Sequence, residues 1–315
     1  QRQMCIRDRR SVVITGADGF IGRHLVNRFA SEGFSVYAIT IKSSPLVKTI
    51  EGIDNVRIFQ VNLLAWSEFC QQLPKEPDAF IHLAWGGVSP EQRDNISLQN
   101  DNIVLALEAV QLAAALHAKR FILPGSTMEY AYSDQLINAH ACPSPQNAYG
   151  AAKIAARYLC GTLCEELHIS FVYAVISSIY AADRRDNNVI YYTIRTLLEG
   201  QKPSLTRLEQ KWDYVHIHDV AQAFLMIAQK GKTGAFYAIG HGDNCPLSEY
   251  ILTIRDLINP NLPLGIGEIP YKDARLPSSC VDLKPLYDDT GYIPSIPFRQ
   301  GIIGVIDSIR EELRK

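Results

Sequence analysis

No apolar run in this 315-residue chain approaches the roughly 20 residues that a bilayer-spanning helix needs. The longest apolar stretch, "IVLALEAVQLAAALHA", is broken by Glu108, Gln111 and His117 and reads as a buried helix. A dominant charge is missing too. Lys and Arg total 31 against 33 Asp and Glu, a net charge of −2, so no broad positive field recruits nucleic acid or an anionic membrane. Cysteine is scarce and unpatterned: Cys5, Cys70, Cys142, Cys160, Cys164, Cys245 and Cys280 are odd in number and contain no CxxC. That suits reduced thiols in a cytoplasmic protein better than a disulfide framework. Cys160 and Cys164 share a helix face, but no further ligands cluster near them in the sequence, and no metal is expected. Internal repeats and low-complexity tracts are also lacking. The opening "QRQMCIRDRR" has no apolar core for a secretory signal and is too short and Ser-poor for a transit peptide. Residues 1–10 are expected to be a disordered leader, or a cloning or gene-calling artefact, outside the fold.

What is present is regular from Ser11 onward. "SVVIT" is a short β-branched run of the kind that makes a buried parallel strand. "RHLVNRFASEG" follows as an amphipathic helix closed by Gly33 as its C′ residue. "FSVYAIT", "VRIFQVNL", "AFIHLAW", "RFILPGS" and "ISFVYAVISS" supply five more strands, with a helix from about Asn100 to His117 between the fourth and fifth. Strands alternating with helices predict an α/β fold with a doubly wound parallel sheet, the Rossmann arrangement. Beyond about Ser178, Pro and Gly punctuate "GQKPSL", "NPNLPLGIGEIP" and "GYIPSIPF", which predicts a smaller C-terminal substrate-binding lobe. The division expected is 11–178 for the dinucleotide-binding domain, with 213–240 returning to it, and 179–212 plus 241–315 for the lobe. In the returning segment, Asp219 is expected to cap a helix running to about Gln229.

Two motifs carry chemistry. Gly16, Gly19 and Gly22 lie between the first strand and the first helix. There a glycine permits the tight turn, another the approach of a pyrophosphate, and the last the close packing of helix on strand. The spacing is GxxGxxG, so Phe20 and Ile21 would open the helix beside the phosphates. The second motif is "YGAAK". Tyr149 and Lys153 stand four residues apart, which puts them on one helix face. By spacing alone they are either a catalytic pair or two ordinary helix-surface residues.

Taken together, "TGADGFIG", "HLAW", "GSTMEYA", "YGAAK", "DYVHIHDVAQAF" and "DDTGYIPSIPFRQGI" resemble the extended short-chain dehydrogenase/reductases, and within them the nucleotide-sugar epimerases and reductases. The resemblance covers nearly all of the chain from Ser11. It implies that Tyr149 is the general acid/base, that Lys153 favours its phenolate and bonds the nicotinamide ribose, and that Ser126 holds the substrate oxygen. Thr127 is a second candidate for that last role. It also implies that Asn62 and Leu63 lie near the adenine. Leu83, Ala84 and Trp85 would pass along the pyrophosphate and ribose, although Trp85 also reads as plain packing. Asn102 would lie on the nicotinamide side. Departures matter as well. Thr127 and Met128 stand where dehydratases of this kind carry an Asp–Glu pair, so no acid is expected to drive water elimination. Ser178 replaces a common substrate-side Asn, and Ala181 a common Gly.

The cofactor turns on "VYAITIKSS". Folds specific for NAD place an acid at the end of the second strand, to bond the ribose 2′-hydroxyl. Here Thr40 is followed by Lys42 and Ser43, which suit a 2′-phosphate unless Lys42 is simply solvated. NADP is the expected cofactor, with NAD still open. "HIHD" at 216–219 has the look of a metal site, but the resemblance assigns it a structural role. Arg184, Arg185 and Arg275 are candidates to clamp a diphosphate, and read equally as solvated charges. The expected activity is oxidoreduction at C4 of a nucleotide-activated sugar, as a 4-keto-sugar reductase or a 4-epimerase. The alternatives are reduction of a non-nucleotide carbonyl, or a non-catalytic NAD(P)-sensing protein. The resemblance further implies a homodimer, while the charge balance and the lack of a spanning apolar run lead to no nucleic-acid or membrane partner being expected.

Overall fold

The computed structural model of the chain describes residues 10–42, 44–133, 135–184, 188–271 and 276–315. Seven parallel strands form the central sheet: β1 (Ser11–Thr15), β2 (Ser35–Thr40), β3 (Val56–Gln60), β4 (Ala79–His82), β5 (Arg120–Ser126), β6 (Ser170–Ile176) and β7 (Phe236–Ile239). Their order is β7-β6-β5-β4-β1-β2-β3. β1 and β4 are buried along their whole length, as strands covered by helices on both faces must be. The strand order reverses between β1 and β4, and in doubly wound sheets the crevice at such a reversal holds the ligand. The expected sheet is therefore present, and it fixes where a site belongs.

Helices α1 (Phe20–Ser31), α2 (Ile96–Ala115) and α3 (Ala148–Glu166) follow β1, β4 and β5. Gly33 closes α1 with φ +78° and an N–H donated to Ala30 O at 3.0 Å. α2 begins earlier than apolar periodicity suggested, because Asn95 caps it, accepting from Leu98 N at 3.1 Å. Arg10, placed above in the leader, already belongs to the fold. Its carbonyl accepts from Ser35 N at 2.9 Å, and its guanidinium lies 4.4 Å from the centre of the Phe34 ring.

Beyond β6, α4 (Val189–Leu198), α5 (Ile217–Lys230), α6 (Leu247–Ile258), α7 (Lys284–Thr290) and α8 (Phe298–Leu313) follow in order. α4, α6 and α8 share a separate apolar core that includes Ile194, Ile251, Ile302 and Val305. Asp219 does not cap α5, contrary to the sequence expectation. His216 does, accepting from His218 N at 3.3 Å. The buried Asp219 carboxylate instead accepts from Ser295 N, Ser295 Oγ and Ile296 N at 3.0, 2.8 and 3.0 Å. A carboxylate needs several donors when buried, and a segment 76 residues away provides them.

Candidate active site

The glycine-rich loop leaves β1 and crosses the crevice. Gly16 has φ +64°, and a Cβ there would lie 2.7 Å from Ala84 N. A Cβ on Gly22 would lie 2.2 Å from Gly16 O. Side chains are thus excluded at both positions, the first by conformation as well as by space. Gly19 stands at the α1 N-cap with no side-chain cap, so the first N–H groups of the helix point into the crevice beside half-buried Phe20 and Ile21.

The segment after β4 runs alongside this loop. Leu83 N donates to Thr15 O at 3.1 Å, and Ala84 N donates to Thr15 Oγ1 at 3.3 Å. Thr15 Oγ1 also shares a 2.9 Å hydrogen bond with His82 Nδ1. Burial, with a smaller contribution from Lys153, pushes the imidazole down to about 3. Asn102 holds this segment from α2. Its amide accepts from Gly86 N at 2.8 Å and donates to Gly86 O at 2.9 Å. Gln99 completes the support, accepting from Trp85 Nε1 at 2.9 Å and donating to Gly87 O at 3.0 Å.

Ser126 ends β5, and α3 brings Tyr149 and Lys153 to it. Asn147 caps α3, accepting from Gly150 N at 2.9 Å. Gly150 is what lets the helix settle there, since a Cβ would lie 2.6 Å from Met128 O. The Tyr149 ring meets Trp85 edge-on at 6.2 Å between centroids. Its phenol is pushed up to about 12 by burial and by the Glu129 charge, against the Ser126 hydroxyl and Arg93, which pull it down. Burial lowers the pKa of the Lys153 ammonium, and its Nζ donates to Pro124 O at 3.1 Å.

Glu129 was missed by the sequence reading, which looked for acids at Thr127 and Met128 and expected none. The structure places a carboxyl against the Ser126 backbone. Glu129 Oε1 accepts from Ser126 N at 2.6 Å and from Tyr173 Oη at 2.8 Å, and burial raises its pKa. Ser126 and Glu129 form a capping box around the short helical turn Thr127–Tyr130. Serine followed three residues on by glutamate is the local signal that could have found it.

The remaining candidates are spread around this centre. Thr40 is buried at the end of β2, Lys42 is exposed just after it, and Ser43 lies outside the described residues. Asn62 accepts from Leu64 N at 3.1 Å, capping a turn that begins at buried Leu63. Thr127 is buried in the turn after Ser126. Ser178 Oγ accepts from Trp212 Nε1 at 2.8 Å. Arg184 donates to Ile179 O at 3.0 Å and lies 4.7 Å from the centre of the Phe20 ring, next to the glycine-rich loop. Arg185 and Arg275 lie outside the described residues. In "HIHD", the His216 and His218 rings are 4.8 Å apart while Asp219 serves Ser295 and Ile296. Among the described residues, no group of three or more His, Cys, Asp or Glu is placed to hold a metal, and no helix is long and apolar enough to cross a membrane.

Comparison with known proteins places the chain among relatives. The model of the NAD dependent epimerase/dehydratase family matches residues 12–240. A CDP-abequose synthase from Salmonella muenchen is 24% identical, over 86% of this chain and 88% of that one. A GDP-6-deoxy-D-mannose reductase from Pseudomonas aeruginosa is 23% identical, over 96% of this chain and 98% of that one. Among solved structures, a UDP-glucuronic acid 4-epimerase from Bacillus cereus, in complex with UDP-glucuronic acid and NAD, superposes with a TM-score of 0.82. It covers 96% of this chain and 99% of its own, at 18% identity.

Proposed function

The chain belongs to the NAD dependent epimerase/dehydratase family, and from that membership we propose that it is a nucleotide-sugar oxidoreductase acting at C4, as a 4-keto-sugar reductase. The observation that carries this reading is the convergence of Ser126, Tyr149 and Lys153 at the crevice where the sheet reverses. A bare helix N-terminus and two glycines that tolerate no side chain fit a dinucleotide pyrophosphate in the same crevice. The nicotinamide, when bound, supplies or accepts hydride.

The protein's own residues then carry the proton and the orientation. Ser126 Oγ would hold the substrate oxygen beside the Tyr149 phenol. Burial keeps that phenol protonated at neutral pH, which suits a general acid. As hydride reaches the C4 carbonyl carbon, Tyr149 gives its proton to the carbonyl oxygen and the ketone becomes an alcohol. Lys153 would bond the nicotinamide ribose and steady the phenolate left behind. The end of β2, read alone, favours NADP through Lys42. The glycine-rich loop brings the carboxylate of Asp18 against Ser44, just beyond β2. Thr127, Ser178 and Arg184 are the described candidates for contacts to the sugar and its diphosphate.

A second reading, 4-epimerisation, uses the same groups in both directions and returns the cofactor unchanged. It is favoured by the likeness to the 4-epimerase structures. Nicotinamide absorbance separates the two. Steady loss of reduced cofactor with one 4-keto-6-deoxy nucleotide sugar would establish the reductase. No net loss with any sugar in a panel, together with tightly held cofactor and interconversion of C4 epimers, would replace it with the epimerase. Turnover of a simple aldehyde or ketone in preference to every nucleotide sugar would overturn both.

A further inference from the structure

The acid that a dinucleotide fold commonly carries at the end of its second strand is absent, since Thr40 stands there. Another carboxylate lies close to this strand end. The glycine-rich loop crosses the end of β2, with Ala17 N donating to Ile39 O at 3.3 Å. The next residue, Asp18, is 7% exposed, and one of its oxygens accepts a short hydrogen bond from Ser44 Oγ, just beyond β2. Ser44 is itself fixed, because its hydroxyl accepts from Leu46 N at 3.2 Å. Among the described residues, the other Asp18 oxygen has no hydrogen-bond partner.

We infer that Asp18 stands in for the strand-end acid and selects NAD(H) over NADP(H). This rests on the reading of the crevice as a nicotinamide dinucleotide site. The unpartnered oxygen accepts from the 2′-hydroxyl of the adenosine ribose, and the charge on the carboxylate rejects a 2′-phosphate. Lys42 is the competing feature, but the two are not equal. Lys42 is exposed, so solvent and salt screen its attraction. Asp18 is buried and held in place by Ser44, where a like charge is screened far less. The buried group decides the preference.

Calorimetric titration of NADH and of NADPH into the full chain tests this without relying on turnover. The unaltered protein is expected to bind NADH on the order of 100-fold more tightly, the scale of a like-charge contact in a partly buried site. Asp18→Asn keeps the shape and removes the charge, and it is expected to close at least about tenfold of that gap by strengthening NADPH. Ser44→Ala, which loosens the carboxylate, should narrow it less. Equal or tighter binding of NADPH by the unaltered protein would overturn the inference even if no variant folded. So would an unchanged ratio in Asp18→Asn, especially if Lys42→Ala abolished NADPH binding. Failure to bind either nucleotide would instead sink the dinucleotide reading itself, and this inference with it.

Discussion

The Lys153 ammonium sits 3.7 Å from the centre of the Trp85 indole, on the same ring that meets Tyr149 edge-on. One aromatic ring therefore touches both members of the pair. A desolvated cation over an indole gains about 2 kcal/mol, so Trp85 is expected to steady the position of Lys153. Trp85→Leu should lower kcat about tenfold while leaving KM for the sugar within about threefold, because the loss falls on the reacting geometry. A change confined to KM would assign Trp85 to substrate binding instead.

Tyr149→Phe removes one hydroxyl from a ring that stays packed against Trp85. Circular dichroism and dinucleotide affinity should be unchanged, while turnover drops by about 10²–10⁴, the range for loss of a general acid. Activity retained in this variant would move the proton transfer to another group.

Glu129 is expected to act through its neighbours, as a positioning residue. Glu129→Gln preserves an oxygen that can accept from Ser126 N and Tyr173 Oη but removes the charge. Because that charge raises the Tyr149 pKa, the basic limb of the pH–rate profile should move to lower pH. Glu129→Ala also strips both donors of their partner, and should cost about 1–3 kcal/mol for each one left unsatisfied. Matching pH profiles for Glu129→Gln and the unaltered protein would reduce Glu129 to a purely structural cap.

His82 gives the fold an acid limit. Its folded pKa, about 3, lies below the ordinary value of 6.5. Between those values the unfolded chain binds the proton more readily, so stability is lost as pH falls through that window and is fully present above 6.5. Unfolding free energies from urea titrations, measured from pH 7 downward, should therefore fall by up to about 1.4 kcal/mol per pH unit from this group alone. His82→Asn should flatten the slope. An equal slope in the variant would place the acid sensitivity elsewhere.

The parts of this molecule that a reader of the sequence can see are the ones written in neighbouring residues. "SVVIT", the three glycines and YxxxK are local patterns, and the sheet, the bare helix end and the Tyr149–Lys153 face follow from them. What stays hidden is partnership across distance. Asp219 looks like a cap because it precedes a helix, yet Ser295 and Ile296 claim it. Nothing near Asn102 in the sequence announces that its amide pairs with Gly86, sixteen residues earlier. Asp18 reads as a loop residue until Ser44 is seen against it. Glu129 was the avoidable miss, since its capping box is a local pattern too.

The last strand of the sheet is also the last to be synthesised, and this sets a schedule for the nascent chain. β6 pairs with β7 through Tyr173–Phe236, Ala174–Tyr237, Val175–Ala238 and Ile176–Ile239. Until Phe236–Ile239 leaves the ribosome, that apolar strand has an unpaired edge of the kind that recruits other chains into aggregates. A fragment ended near Ser178 would hold every one of the three catalytic candidates and still expose that edge permanently. The half of the molecule that carries the chemistry therefore depends on the second half for its solubility.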